Sequence, residues 1–138
     1  MNFWYGLLAF VVILGGYIYL NYRRMKHFST LPEREDIQHL NDKNFKAAIS
    51  KGVVLVDFWA SWCMPCKMMI PVLNDLSDMT KGKAVIAKLN VEEFKPLAMK
   101  FNIRSIPAMV LFKDGKEVDR FVGVKTKGFL FNQIKKVL

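Results

Sequence analysis

The chain has 138 residues, enough for one compact domain with an appendage but too few for two domains of ordinary size. Its net charge is +9, and the basic residues are spread among acidic ones without a long basic run. This distribution argues against nucleic-acid binding, because solubility or attraction of acidic partners accounts for the same charge.

The first predicted element is an apolar helix over residues 3–20, FWYGLLAFVVILGGYIYL, which contains no charged residue. A helix of this length reaches roughly 27 Å, close to the hydrocarbon thickness of a bilayer. A cleaved secretory signal is disfavoured, since no basic residue precedes the run and no small residues follow it at a cleavage spacing. A core helix that is apolar all round is a poor alternative in so small a domain. We therefore expect one N-terminal transmembrane helix, an anchor over residues 1–22 that contacts the lipid bilayer through residues 3–20.

Residues 23–35 are basic and polar, and we expect them to form a tether to a domain over residues 36–138. That domain opens with a predicted strand over residues 37–40 and a helix over residues 42–50, capped by Asn41 or Asp42. Residues 53–59 are almost wholly apolar, which indicates a strand covered on both faces. A longer amphipathic helix that includes Pro71 comes next.

The second half of the domain continues the alternation of strands and helices. A strand is predicted over residues 84–89 and a helix over residues 94–101. Two further strands flank Asp114-Gly115, a two-residue signal for a type I′ hairpin. A closing helix carries an apolar stripe, which we expect to pack on the core: Leu130, Ile134, Val137 and Leu138. The sequence thus predicts an α/β fold with a mixed central sheet and helices on both faces.

The only two cysteines, Cys63 and Cys66, lie in the stretch VDFWASWCMPCK between the buried strand and the long helix. A structural zinc site would need four ligands, and the chain's only histidines are His27 and His39. His27 lies in the predicted tether and His39 in a predicted strand, so the sequence argues against a zinc site. A purely structural disulfide across so short a loop would constrain the unfolded chain little. A redox couple fits better, because unpaired N–H groups at a helix N-terminus stabilise a thiolate.

From about residue 36 onward the chain resembles the thioredoxin family. The similarity lies in VDFWASWCMPCK, in AKLNVEE at residues 87–93, in the Ile106-Pro107 pair and in FKDGKEVDRFVG at residues 112–123. It implies the thioredoxin fold and a thiol–disulfide oxidoreductase whose redox group is the Cys63–Cys66 disulfide, with no metal or other cofactor.

The resemblance also implies roles for individual residues. Cys63 would be the attacking thiol and Cys66 the resolving thiol, while Asp57 and Lys88 would form a buried charged pair beneath them. A buried, unpaired carboxylate is costly, so Asp57 is expected either to be neutral or to be paired with Lys88. A merely structural ion pair is the alternative. The residues expected to contact substrate are Trp62, Met64, Pro65, Ile106, Pro107 as a cis-proline, and Gly123.

Two features of the active-site motif bear on its specificity. Met64 stands where thioredoxins usually have glycine, so a bulkier side chain is available to touch a partner. Pro65 stands where strongly oxidising relatives often carry histidine, which favours a reductant.

The resemblance implies partners, whereas the membrane side is predicted from flanking charge and from where disulfides persist, with the cytoplasmic face favoured. The partners would be disulfide-containing protein substrates and either a thioredoxin reductase or a membrane electron donor. The basic residues beside the apolar run, Arg23, Arg24 and Lys26, follow it and favour a domain on the cytoplasmic face. Disulfides persist outside the cytoplasm, which favours the outer face.

Two other functions are compatible with the same sequence. One is an extracytoplasmic thiol oxidase, isomerase or cytochrome-maturation reductase. The other is a redox-inert binding module, against which the intact cysteine pair and Asp57 argue.

Overall fold

The computed structural model describes residues 2–28 and 31–138, which form five helices and five strands. In chain order these are α1 (Asn2–Phe28), β1 (Gln38–Leu40), α2 (Phe45–Ile49), β2 (Val53–Trp59), α3 (Met64–Thr80), β3 (Ala84–Asn90), α4 (Lys95–Lys100), β4 (Ala108–Lys113), β5 (Lys116–Val122) and α5 (Lys127–Val137).

The five strands form one mixed sheet in the order β1-β3-β2-β4-β5. Strands β1, β3 and β2 are parallel, whereas β4 runs antiparallel to both β2 and β5. The central strand β2 is buried along almost its whole length, as its continuous apolar run predicts. In the β2–β3 register Asp57 lies opposite Lys88, so the two ionisable residues belong to neighbouring strands at the centre of the sheet.

Side chains alternate across the sheet and build a core on each face. On one face Val53 and Leu55 of β2 pack with residues of α3 and α5, and on the other Val54, Val56 and Phe58 pack with residues of α2 and α4. The predicted α/β fold with helices on both faces is therefore confirmed. Asp57 shares the parity of Val53 and Leu55, which directs its carboxylate toward the α3 side of the sheet.

The N-terminal helix α1 continues beyond the apolar run to Phe28 and so includes the basic residues Arg23, Arg24 and Lys26. Every side chain from Phe3 to His27 is exposed, so this segment is not a core helix. By length and composition residues Phe3–His27 are sufficient to cross a membrane.

The start of one helix differs from the prediction, and one turn agrees with it. Helix α2 begins at Phe45 rather than near residue 42, because the Asn41 carboxamide oxygen accepts the N–H groups of Lys43 and Asn44 and holds a turn there. The hairpin turn at Asp114 and Gly115 has φ values of 49° and 84°, as the predicted type I′ turn requires.

The apolar stripe of α5 is only partly as predicted. Leu130 and Ile134 are buried in the core and Val137 packs against it. Leu138 is 49 % exposed, contrary to the prediction, because it follows the last helical residue and is not held against the sheet.

Candidate active site

The two cysteines lie where the chain leaves the central strand and enters α3. Cys63 is the N-cap residue of α3, with extended backbone, and its Sγ accepts a hydrogen bond from the Cys66 backbone N–H at 3.2 Å. The two Cα atoms are 5.3 Å apart and the sulfurs form a disulfide. Because the helix N-terminus directs N–H groups and a partial positive charge at Cys63, it stabilises a thiolate there when the disulfide is reduced.

The surroundings of the disulfide are apolar and largely closed to solvent. Both cysteines are 3 % exposed, and Trp59, Val91 and Ile106 pack against them. Cys66 nevertheless contributes to the lining of a cleft of about 290 Å³, together with Lys88.

Asp57 is fully buried beneath this region, and its two carboxylate oxygens have no hydrogen-bond partner among the described residues. Burial raises the pKa of Asp57 to about 7, against the opposing effect of the Lys88 charge. The carboxyl group therefore changes protonation state in the neutral pH range, where a proton acceptor for a thiol is useful.

Lys88 is also buried, but its ammonium bonds to a residue that the sequence assigned to the tether. Its Nζ lies 2.8 Å from an oxygen of Glu33 and 4.4 Å from the centroid of the Trp59 ring. The resemblance implied a charged pair between Asp57 and Lys88; the two residues are neighbours in register, but the ion pair that Lys88 forms is with Glu33. Asp57 and Lys88 therefore interact through their charges without a direct hydrogen bond.

The exposed part of the site surrounds the cysteine pair. Trp62 is 67 % exposed and Met64 is 41 % exposed, and Pro65 is exposed in the first turn of α3. Trp62 and Ile106 help to line a groove of about 330 Å³ beside the disulfide. The other lining residues are Val91, Ile103, Arg104 and Ser105, so the groove is largely apolar.

The loop before β4 brings three of the predicted residues together. The Ile106–Pro107 peptide bond is cis, as the resemblance implied. The Pro107 carbonyl accepts a hydrogen bond from the Gly123 N–H at 2.8 Å, which joins this loop to the end of β5. Gly123 has a φ of 85°, a conformation in the left-handed region that glycine adopts readily.

Sequence reasoning did not identify Glu33 as part of the site, and it found no partner for His39. In the structure Lys88 contacts one Glu33 oxygen, and the Nε2 atom of His39 lies 3.1 Å from the other. The available signal was indirect, since a buried lysine next to a neutral aspartate requires another anion.

A disulfide at a helix N-terminus, set above a buried carboxylate with a pKa near neutrality, defines a protein of the dithiol–disulfide exchange class. Comparison with known proteins identifies the family. Residues 36–136 match the family described as Thioredoxin. The chain belongs to the thioredoxin family, and it is a thiol–disulfide oxidoreductase.

Individual relatives and a solved structure agree with this assignment. A thioredoxin of Staphylococcus saprophyticus is 49 % identical over 102 residues, which are 74 % of this chain and 98 % of the relative. A thioredoxin of Chlorobaculum thiosulfatiphilum is 52 % identical over 95 residues, 67 % of this chain and 88 % of the relative. The structure of the N21Q mutant thioredoxin from Halobacterium salinarum NRC-1 superposes with a TM-score of 0.69 at 31 % identity and covers 78 % of this chain and 95 % of that one.

Proposed function

We propose that this protein is a membrane-tethered protein-disulfide reductase that acts through the Cys63–Cys66 couple. The observation that carries the proposal is the position of Cys63 at the N-cap of α3, where its Sγ already accepts the Cys66 N–H. A thiol at this position is held as a nucleophile. Pro65 between the cysteines, rather than a histidine, favours the reducing direction.

In the proposed reaction the reduced protein transfers two electrons to a substrate disulfide. The Cys63 thiolate attacks one substrate sulfur, a mixed disulfide forms, and the other substrate sulfur leaves as a thiolate that takes up a proton. Cys66 then loses its proton and attacks the Sγ of Cys63. The substrate is released as a dithiol, and the Cys63–Cys66 disulfide remains to be reduced by the electron donor.

Asp57 is proposed as the acceptor of the Cys66 proton. Its carboxyl group is buried and has a pKa of about 7, so near neutral pH a substantial fraction is ionised and able to accept a proton. Lys88, in the neighbouring strand, opposes the rise in the pKa of Asp57 and keeps this fraction from falling further.

The substrate polypeptide is proposed to bind along the surface formed by Trp62, Met64, Pro65, Ile106, Pro107 and Gly123. The exposed Met64 adjoins Cys63, so its flexible side chain would touch the polypeptide next to the reacting sulfur.

The tether is proposed to consist of a span over residues 1–22 and a linking segment over residues 23–35, with the thioredoxin domain over residues 36–138. The exposed apolar side chains of α1 support insertion into a bilayer through residues 3–20. Arg23, Arg24 and Lys26 follow the apolar run and favour a domain on the cytoplasmic face, where a thioredoxin reductase would regenerate the dithiol.

Trapping of the mixed disulfide tests the mechanism. Cys66→Ser removes the resolving thiol, so this variant should accumulate a covalent complex with a disulfide-containing protein, released by dithiothreitol and visible as a mass increase. Cys63→Ser is the matched control and should form far less. Accumulation on Cys63→Ser instead of Cys66→Ser would reverse the two roles.

A further inference from the structure

The segment around Glu33 is fastened to α3 by polar contacts. The Asn74 carboxamide donates to the Pro32 carbonyl at 3.0 Å and accepts the Arg34 N–H at 3.1 Å. The Arg34 guanidinium also donates to Asp78 at 2.9 Å. These contacts hold the backbone on both sides of Glu33, so the direction of its side chain is determined by the domain.

Glu33 extends from this segment to the buried lysine of the active site. Its carboxylate is 2.8 Å from Lys88 Nζ and 3.1 Å from His39 Nε2. The Lys88 side chain is 4 % exposed and that of Glu33 is 22 % exposed. Since a buried ammonium requires a close anion, Glu33 supplies the counter-charge that Lys88 needs.

Glu33 and the resolving cysteine also share one cleft. The cleft of about 290 Å³ is lined by Glu33, Trp59, Ser61, Cys66, Lys67, Ile70 and Lys88. The Glu33–Lys88 ion pair therefore lies in the same cleft as Cys66.

Asp57 and Glu33 both interact electrostatically with the Lys88 ammonium, but the direct contact is with Glu33. The ion pair of Lys88 is with Glu33, and the Asp57 oxygens have no hydrogen-bond partner among the described residues. The charge of Glu33 adds to burial in raising the pKa of Asp57, whereas Lys88 lowers it. Glu33 thus acts on Asp57 twice, by its own charge and by holding the lysine.

We propose that Glu33 is a positioning residue for the exchange reaction: it binds the Lys88 ammonium so that Asp57 remains unpaired and able to take up the Cys66 proton. This inference rests on the proposed function. Glu33 lies before residue 36, where the match to the thioredoxin family begins, so the contact is supplied by the segment that connects the domain to α1.

Several other ionisable groups face this cluster from the elements packed around it. They are His39 on β1, Asp57 on β2, Lys67 on α3, Lys88 on β3, and Glu93, which lines a neighbouring cleft with His39 and Lys88. Of these, Lys88 makes an ion pair with Glu33, and the Nε2 atom of His39 lies 3.1 Å from the other Glu33 oxygen.

The test replaces Glu33 with its neutral isostere, Glu33→Gln, in the full chain in detergent. The Asp57 titration is followed by NMR of its labelled carboxyl carbon in the oxidised protein, where neither cysteine titrates. The midpoint, near pH 7 in the wild type, should move to lower pH. The ratio of reductase turnover at pH 6 to that at pH 8 should rise about two- to three-fold, the change that a displacement of half a pH unit produces.

Glu35→Gln is the matched control, because it removes the same charge two residues away at an exposed position. It should leave the Asp57 midpoint as in the wild type. Glu33→Asp keeps the charge and should retain a midpoint close to that of the wild type even if Glu33→Gln folds poorly.

The proposal would be overturned if Glu33→Gln and Glu35→Gln gave the same Asp57 midpoint, or if Glu33→Asp lowered it. Glu33 would then only fasten the segment to the domain. Because the NMR titration requires no turnover, a displaced midpoint in a protein without reductase activity would contradict the proposed function while still showing that Glu33 acts on Asp57.

Discussion

At the scale of single residues, the chemistry depends on two groups whose ordinary properties are changed by position. Cys63 is held at a helix N-terminus, which stabilises its thiolate, and Asp57 is held in the core, which stabilises its neutral acid. The first effect favours the charged form of its group, and the second favours the neutral form. In the proposed mechanism they provide a nucleophile and a proton acceptor within one buried region.

The raised pKa of Asp57 makes a prediction about stability. The folded protein keeps the Asp57 proton up to about pH 7, whereas the unfolded chain loses it near the ordinary value of 3.8. The stabilisation from protonated Asp57 is therefore complete below about pH 3.8 and is lost as the pH rises through 7. Relative to Asp57→Asn, the wild type should lose on the order of 4 kcal/mol over this interval.

Urea unfolding of the oxidised full chain in detergent, followed by near-ultraviolet circular dichroism, measures this difference. Asp42→Asn removes an exposed carboxylate and serves as the control, which should follow the wild type. An Asp57→Asn variant whose stability runs parallel to that of the wild type from pH 4 to 8 would show that Asp57 is ionised throughout.

The residues of the site differ in how far the sequence could predict them. Cys63, Cys66 and the cis Ile106–Pro107 bond follow from a local motif and its family resemblance. Glu33 could not be found in this way, because its partner Lys88 lies 55 residues away and the contact depends on how residues 32–36 dock on α3. Glu33 lies outside the residues that match the family, and no motif near it in the sequence indicates its contact with Lys88.

At the scale of elements, α3 connects the chemistry to the core. Its first residues hold the disulfide, its buried face carries Met69, Leu73 and Leu76, and its exposed Asp78 binds Arg34. The same helix thus holds Cys63 at its N-terminus, packs on the core and binds the segment that contains Glu33.

Continuous apolar runs predicted the buried strands well, since such runs have few other uses in a small domain. Helix ends were less predictable. The start of α2 depends on the Asn41 side chain, which holds a turn where the apolar pattern alone suggests a helix.

For α1 the prediction concerns orientation in the membrane. The basic residues Arg23, Arg24 and Lys26, after the apolar run, should keep the following domain in the cytoplasm. Alkaline phosphatase fused after Leu138 should therefore be inactive, and green fluorescent protein fused at the same residue should fluoresce. An active phosphatase with a dark fluorescent protein would place the domain outside and would make a membrane carrier the electron donor.

At the scale of the whole molecule, a long apolar helix is joined to a thioredoxin domain that covers nearly the whole length of its relative from Staphylococcus saprophyticus. The Staphylococcus saprophyticus thioredoxin is similar over 74 % of this chain, and the match to the thioredoxin family covers residues 36–136. The remainder contributes the helix and the segment containing Glu33. In the two proposals above, these parts attach the domain to a membrane and adjust the buried acid.

The central claim is that the attached domain reduces protein disulfides, and insulin reduction tests it most directly. The purified full chain in detergent, with dithiothreitol as donor, should accelerate insulin precipitation well beyond dithiothreitol alone, and Cys63→Ser should abolish the acceleration. A wild-type rate equal to that of dithiothreitol alone, or an equally fast Cys63→Ser protein, would contradict the account.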